Sequence, residues 1–533
     1  MTHEDLVGRY FTNSDKPVFA LVNLPETVKG ALFARYSRSA KSLRQLFVDE
    51  FATDLSASKP GDPEGAAVDA GTSNVGSARA EKLYDKVFNE YGDDSVAQLG
   101  GVHVACENVS NILTKVLERG RLMAYLEQST RYVPYTDRTG GAWRYHVPAE
   151  LDGHPLRAKF VAALDATFET YAKWIDPLRA HFEKKYPKAA GDSDAVYRSA
   201  TRAKALDTLR GLLPAATRSN VGIYGTGQAY ESLILRMRAH PLAEVRDCAD
   251  QMLTELRKVI PAFLTRVDQP DRGGKWTEYF AATRARTLEA AQQFAGAAMG
   301  EDRPEVTLSD FDPDGEVKVV AAALYTSTEL PDDQLLSIAR KMTAGERASV
   351  LATYAGDRTN RRHKPGRAFE RTSYRFDVLT DYGAFRDLQR HRLMTIDWQP
   401  LTTRHGHILP EAIVESGAQP EWDAALQRSA SLYEEMSGAG FGEAAQYAVS
   451  LAYRVRFIMD MNAREAMHVI ELRTAPAGHP AYRRVCQRMH TLISEHAGHH
   501  AIAATMRFAD HSFVELERLQ QERQLEKKRM QRT

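Results

Sequence analysis

Cysteine is nearly absent: Cys106, Cys248 and Cys486 are the only three in 533 residues, far apart and odd in number. Such a set builds no disulfide framework and fits a reducing compartment. A surplus of either charge is also missing. Seventy Lys and Arg balance seventy Asp and Glu, so no global field gathers nucleic acid or an anionic membrane, and any anion site has to be built locally. A nucleic-acid binder would need a continuous basic stripe, which this balance does not suggest. No apolar run approaches the ~20 residues of a bilayer span; the stretch 319–325 is short. Residues 1–10 lack the basic start and apolar core of a signal peptide. These absences lead to the expectation of a cytoplasmic protein with no membrane partner. The Gly-rich stretch 61–76 matches neither a P-loop nor a dinucleotide fingerprint. His490, His496, His499 and His500 crowd one helical segment, but no His-Glu-x-x-His pattern or third ligand accompanies them. They are expected to form a solvated or interface face, with no metal site. Cys106, in a strand-like run, is expected to be a core thiol.

What is present is mostly helical periodicity. Apolar residues recur at helical spacing over 78–90, behind a Ser77 cap, and over 158–174, 242–266, 333–354 and 481–497. Strand-like runs are fewer: 103–109, 316–321 and 373–379. The segment 56–77, loaded with Gly, Ala, Ser, Asp and Pro, reads as a mobile insertion, and 269–275 reads as a connector. The charged tail 514–533 has the spacing of a solvated helix.

Internal echoes change the reading. Arg119-Gly120-Arg121-Leu122-Met123 is answered by Arg390-His391-Arg392-Leu393-Met394. Leu235-Arg236 followed by His240-Pro241 is answered by Leu472-Arg473 followed by His479-Pro480. Two echoes in the same order point to a duplication.

The segment 119–132, RGRLMAYLEQSTRY, resembles the signature of the flavin-dependent thymidylate synthases (ThyX), an Arg-His-Arg triplet followed after seven residues by Ser and then Arg-Tyr. Here Arg121 is followed by seven residues and then Ser129, Thr130, Arg131 and Tyr132, with Gly120 in place of the His. Upstream, Gly92-Asp93-Asp94-Ser95 takes the place of the family's Gly-His-Glu-Ser/Thr element. Downstream, Arg210 precedes Leu213-Pro214 as the family's Arg precedes its Leu-Pro, and Arg236 closes a Leu-Arg element. The second copy keeps the whole triplet, Arg390-His391-Arg392, but has Pro400 where the family has Ser and Trp398 where it has Glu. Its Asn462-Ala463-Arg464, His468 and Leu472-Arg473 are close to the family's Asn-Ala-Arg pattern, whereas the first copy has Gly225 at the Asn position; Gln446 stands for Arg210.

The resemblance implies an α+β fold, with two tandem ThyX-like units over 1–275 and 276–533, each a small antiparallel sheet framed by helices and paired as a pseudo-dimer. It also implies a division of labour. Arg119, Glu127, Ser129, Arg131, Arg210 and Arg236 would bind a pyrimidine nucleotide, since arginine forks suit phosphate. Arg390, His391, Arg392, Asn462, Arg464 and His468 would bind FAD. The implied reaction is methylation of dUMP to dTMP, with methylenetetrahydrofolate as carbon donor and NADPH as reductant. Arg236 or Arg473, with Ser129, would be catalytic, the cation stabilising a deprotonated pyrimidine. A homodimer would assemble four family units. The alternative is a diverged flavin- or pyrimidine-nucleotide-binding protein that is non-catalytic or has another specificity.

Overall fold

The computed structural model describes residues 3–36, 39–50, 98–131, 133–514, 516 and 518–531. The expected helix 78–90 with Ser77, the insertion 56–77, the element Gly92-Asp93-Asp94-Ser95 and Tyr132 lie outside the described residues.

Strand β1 (Gly101–Ser110) runs into helix α1 (Asn111–Leu117), and the Arg119 triplet follows. Ser110 caps α1 by accepting from the Leu113 backbone N–H at 3.0 Å. Then come β2 (Met123–Glu127), the long α2 (Leu156–Lys185), α3 (Asp194–Leu209), a 3-10 turn at Arg210–Leu212, β3 (Arg218–Thr226), α4 (Gly227–Arg238), α5 (Ala243–Leu256) and α6 (Lys275–Ala295). After β4 (Val306–Phe311) and helices α7 (Gly315–Tyr325), α8 (Asp332–Lys341) and α9 (Ala344–Ala355), the same order returns. Strand β5 (Ser373–Asp381) runs into α10 (Tyr382–Leu388), and the Arg390 triplet follows. Next are β6 (Thr395–Trp398), α11 (Gln419–Gly438), a short helix with a 3-10 turn at Gln446–Ala448, β7 (Arg454–Asn462), α12 (Ala463–Arg473) and α13 (Pro480–Glu495). Arg210 and Gln446 both open 3-10 turns, as their expected correspondence requires.

By contact the chain forms two compact units, each discontinuous in sequence. Unit 1 comprises Met1–Glu107, Gly120–Glu127 and Asn220–Ala298; unit 2 comprises Asn108–Arg119, Gln128–Ser219 and Met299–Thr533. In unit 1, β2 pairs antiparallel with β3 from Met123 opposite Gly225 to Glu127 opposite Val221, and the sheet order is β1-β3-β2. In unit 2 the sheet order is β4-β5-β7-β6, antiparallel throughout. Along β7, Val455, Phe457, Met459 and Met461 face the core while Arg454, Arg456, Ile458 and Asp460 are less buried, the period-2 pattern of a strand with one covered face. The fold is α+β, small antiparallel sheets framed by helices.

Three expectations are corrected. The strand-like stretch 316–321 is helical, within α7: three consecutive alanines favour helix, and Val319, Val320, Ala321 and Ala323 are buried. The helix expected over 242–266 stops at Leu256, and the chain restarts at Pro261 as a 3-10 helix to Asp268; proline has no N–H to continue a ladder. The helix expected over 333–354 is two, because Thr343 and Glu346 form a capping box that starts α9.

Candidate functional site

All groups of the site lie in unit 2 and are positioned by the starts and ends of helices. Asp381, the last residue of β5, accepts from the Ala384 backbone N–H at 2.9 Å and so starts α10. That helix delivers Arg386, Asp387 and, just beyond it, Arg390 and His391. Asn462, the last residue of β7, accepts from the Glu465 N–H at 2.9 Å and starts α12, which carries Glu465, His468 and Arg473. His479 starts α13 by accepting at Nδ1 from the Ala481 N–H at 3.2 Å.

Asp387 is the centre. Its Oδ1 accepts from Arg390 at 2.8 Å and lies 3.6 Å from Arg473 Nη1, and its Oδ2 lies 3.6 Å from Arg210 Nη1. Arg473 also donates to its backbone carbonyl. Burial pushes this carboxyl up, but Arg473, Arg210, Arg390 and Arg131 outweigh burial and hold it well below the usual carboxylate range. Arg210 is 4% exposed, and its Nη2 has no hydrogen-bond partner. A buried donor left unmade is costly. The space for that guanidinium exists because residue 383 is glycine: a Cβ there would stand 3.0 Å from Asp381 Oδ1 and 3.1 Å from Arg210 Nε.

Arg131 grips Asp207 with both arms of its fork, Nε to Oδ1 at 2.7 Å and Nη2 to Oδ2 at 2.6 Å, and donates from Nη1 to Tyr482 Oη at 3.3 Å. Ser129 Oγ accepts from the Arg131 backbone N–H at 3.2 Å, fixing that turn. The Arg473 guanidinium stands 5.3 Å from the Tyr482 ring centre.

On the other side of Arg473, its Nε donates to His391 Nε2 at 2.9 Å. His391 therefore carries its proton on Nδ1, which faces Glu465 Oε1 at 3.7 Å. Burial, then Arg473, His468 and Arg390, hold His391 well below its ordinary value. Burial followed by Lys364, Arg361 and Arg473 brings His468 down to about 4, and burial lifts Glu465 to about 7 against Lys364 and Arg464. His391, Glu465 and His468 place ligand-type atoms within 4.8 Å of one another, the one such group among the described residues. Arg473 donates to one imidazole, and Lys364, Arg361 and Arg464 raise the positive potential. A metal-bound histidine instead turns its second nitrogen to an acceptor, so the cluster suits an anion better than a dication.

The expected site residues are thus distributed unevenly. Arg131, Arg210, Arg390, His391, His468 and Arg473 come together; Glu127 and Arg236 belong to unit 1. Arg119 is exposed and bonded to Asp397 at 2.5 Å. Arg392 is exposed. Arg464 donates to Pro365 O at 2.9 Å and to Glu370 at 3.2 Å, and the Asn462 carbonyl is engaged in its cap. Thr226, one residue after Gly225, caps α4 as Asn462 caps α12. Sequence reasoning missed Asp387, Asp207, Tyr482, Glu465 and Gly383. Only Asp387 carried a signal, an acid three residues before Arg390 at helical pairing distance. Of the crowded histidines, His499 Nδ1 meets Tyr374 Oη at 2.7 Å and His490 meets His511 at 2.9 Å.

The family described as Thymidylate synthase complementing protein matches this chain twice, at residues 44–262 and 307–497. The chain belongs to this family. It holds two tandem units of the thymidylate synthase complementing type, and Arg131 and Arg210 come from the first match, Arg390, His391, His468 and Arg473 from the second. A "UPF0159 protein" of Chlamydia muridarum is 37% identical over 521 residues, 97% of this chain and 96% of its own. Another from Thermoplasma acidophilum is 30% identical over 522 residues, 93% of this chain and 97% of its own. A "Flavin-dependent thymidylate synthase" of Mycobacterium avium is 32% identical over 181 residues, 34% of this chain and 66% of its own. The solved structure of a UMP/dUMP methylase, PolB, from Streptomyces cacaoi is 20% identical with a TM-score of 0.30, covering 38% of this chain and 97% of that one, too slight a likeness to carry an argument. No helix among the described residues is long and apolar enough to cross a membrane.

Proposed function

We propose that this protein is a flavin-dependent thymidylate synthase-like enzyme that methylates dUMP to dTMP at one composite site, with methylenetetrahydrofolate as carbon donor and NADPH as reductant. The observation that carries the reading is the meeting of Arg210 from the first family match with Arg390 and Arg473 from the second on the single carboxylate of Asp387. Arg131 and Arg210 would take the phosphate; the unmade Arg210 Nη2 bond is the donor an anion would fill. Ser129 would bond the sugar or base. Arg473, rather than Arg236, would be the cation beside the pyrimidine, because it shares Asp387 with Arg210 and cannot lose its own proton. Neutral His391, with Nε2 accepting from Arg473, fixes that guanidinium's orientation.

The residues present fit a flavin dinucleotide: Arg390 and Arg392 offer forks to a pyrophosphate, and His391 and His468 are held neutral. Arg464 and Asn462 would contribute what their present bonds leave open. Bound there, FAD would supply two-electron reducing chemistry. On this reading residues 1–275 and 276–533 are the tandem units, two chains pair to give four, and the protein works in the cytoplasm.

The test is dTMP formation from dUMP by FAD-loaded protein with methylenetetrahydrofolate and NADPH. Turnover, with loss of at least about 100-fold in Arg473→Ala that keeps its flavin, is expected from loss of a preorganised transition-state cation. Flavin and dUMP binding without dTMP would instead support the second reading, a protein of other specificity or none, which the tie of Arg119 to Asp397 favours.

A further inference from the structure

Beside the nucleotide cluster, with which it shares Arg131, α2 and α3 border a half-open hollow of about 310 Å³ whose wall holds four arginines: Arg131, Arg179, Arg198 and Arg202, with Ser199 between the last two. The remaining lining is apolar, from the buried side of α3, and no acidic side chain lines it. Arg198 and Arg202 stand one turn apart on α3, a like-charge spacing that weakens a helix. Arg202 makes no hydrogen bond or ion pair with any described residue. Arg198 makes one long bond, to the Asp194 carbonyl at 3.4 Å. The buried Nε of Arg179 has no hydrogen-bond partner, although exposed Asp176 and half-buried Glu183 stand 3.3 and 3.5 Å from its guanidinium. Arg131 is held by Asp207 through both arms of its fork. Repulsion extends further: burial and Arg131 pull Arg518 down to about 10.

Gathering cations around one hollow costs Coulomb energy unless something anionic enters it, and the volume is at the small end of ligand pockets. We propose that this cavity binds an oligoanion, a ligand with two or more phosphate or carboxylate groups in series, held between the Arg179 fork on α2 and the Arg198 and Arg202 forks on α3. A single phosphate would engage one fork well; a chain of anions can reach both helices. The hydroxyl of Ser199 offers a neutral bond between them.

The experiment is calorimetric titration of full-length protein with three probes: inorganic tripolyphosphate, tetraglutamate and orthophosphate. One of the two chains is expected to bind at least ten times more tightly than orthophosphate. Which one binds assigns the source, phosphate or carboxylate. The double variant Arg198→Gln/Arg202→Gln should weaken that binding at least tenfold, and Arg179→Gln on the facing helix severalfold. These are exposed or half-buried positions, so both variants should unfold thermally like the wild type. Arg473→Ala, which disables the proposed catalytic site, should leave the oligoanion affinity unchanged. No binding of either chain, or binding lost in Arg473→Ala but kept in the double variant, would overturn the assignment. The second result would place the anion in the nucleotide site, so this proposal and the catalytic one can fail separately.

Discussion

Replacing Asp387 by Asn tests the electrostatic centre of the site. The carboxylate stands 2.8 Å from Arg390 and 3.6 Å from both Arg473 and Arg210. One such pair at about 4 Å is worth roughly 4 kcal/mol at an effective dielectric of 20, before the cost of desolvation is subtracted. Arg390 is 35% exposed at its side chain and contributes less than the two deeper arginines. Removing one partner of a buried pair leaves uncompensated charge and typically costs about 3–5 kcal/mol. A loss near the lower end, about 3 kcal/mol, is expected, which a urea slope of about 3 kcal/mol/M converts to a midpoint about 1 M lower. The sign against pH follows from the depressed carboxyl. Its stabilisation is fully present above the unfolded value of about 3.9 and fades as pH falls below it, so wild type and variant converge in acid. dUMP should also bind the variant more tightly than the wild type, because an added anion restores the missing charge, and so stabilise it more at one common concentration; at a hundred times the variant's Kd its gain is about 2.7 kcal/mol. A urea midpoint within about 0.2 M of wild type at pH 7 would refute this reasoning, since no buried charge would then have lost its partner.

Two further outcomes are expected. Gly383→Ala places a methyl 3.0 Å from Asp381 Oδ1 and 3.1 Å from Arg210 Nε, and displacing that guanidinium should weaken dUMP binding about tenfold, roughly 1.4 kcal/mol; unchanged affinity in calorimetry would show that Arg210 does not reach the ligand. Burial raises Glu465 to about 7, so its cost to the fold is absent below the unfolded value of about 4.3, grows as pH rises from there and is complete above about 7. Glu465→Gln should therefore gain in melting temperature over the wild type at pH 8 and lose that advantage only below about pH 4.

The family resemblance picks out Arg131, Arg210, Arg390 and Arg473 from the sequence, and the fold brings all four together. The sequence does not expose what they converge on. Asp387, Asp207 and Tyr482 are ordinary residues until the fold brings distant segments to them. Asn462 and Arg464 show the opposite limit: both match the family's motif, but Asn462 starts a helix and Arg464 binds Glu370 and a backbone carbonyl. Strand β7 is hard to read from the sequence although its alternation is regular, because Met459, Met461 and Asp460 dilute its β-propensity. The run 316–321 misled in the other direction, its valines suggesting a strand where adjacent alanines and a buried face make a helix.

The central claim is that residues from the two tandem units form one nucleotide site. It is tested most directly by a double-mutant cycle on dUMP binding to FAD-loaded protein with Arg131→Ala and Arg473→Ala, read from the flavin absorption band. Each single variant is expected to lose at least tenfold in affinity, and the double variant to lose less than the sum, a coupling of about 0.5–3 kcal/mol for groups in one network. If either single variant binds dUMP like the wild type, or the two losses simply add, the residues serve separate sites and the composite account is wrong.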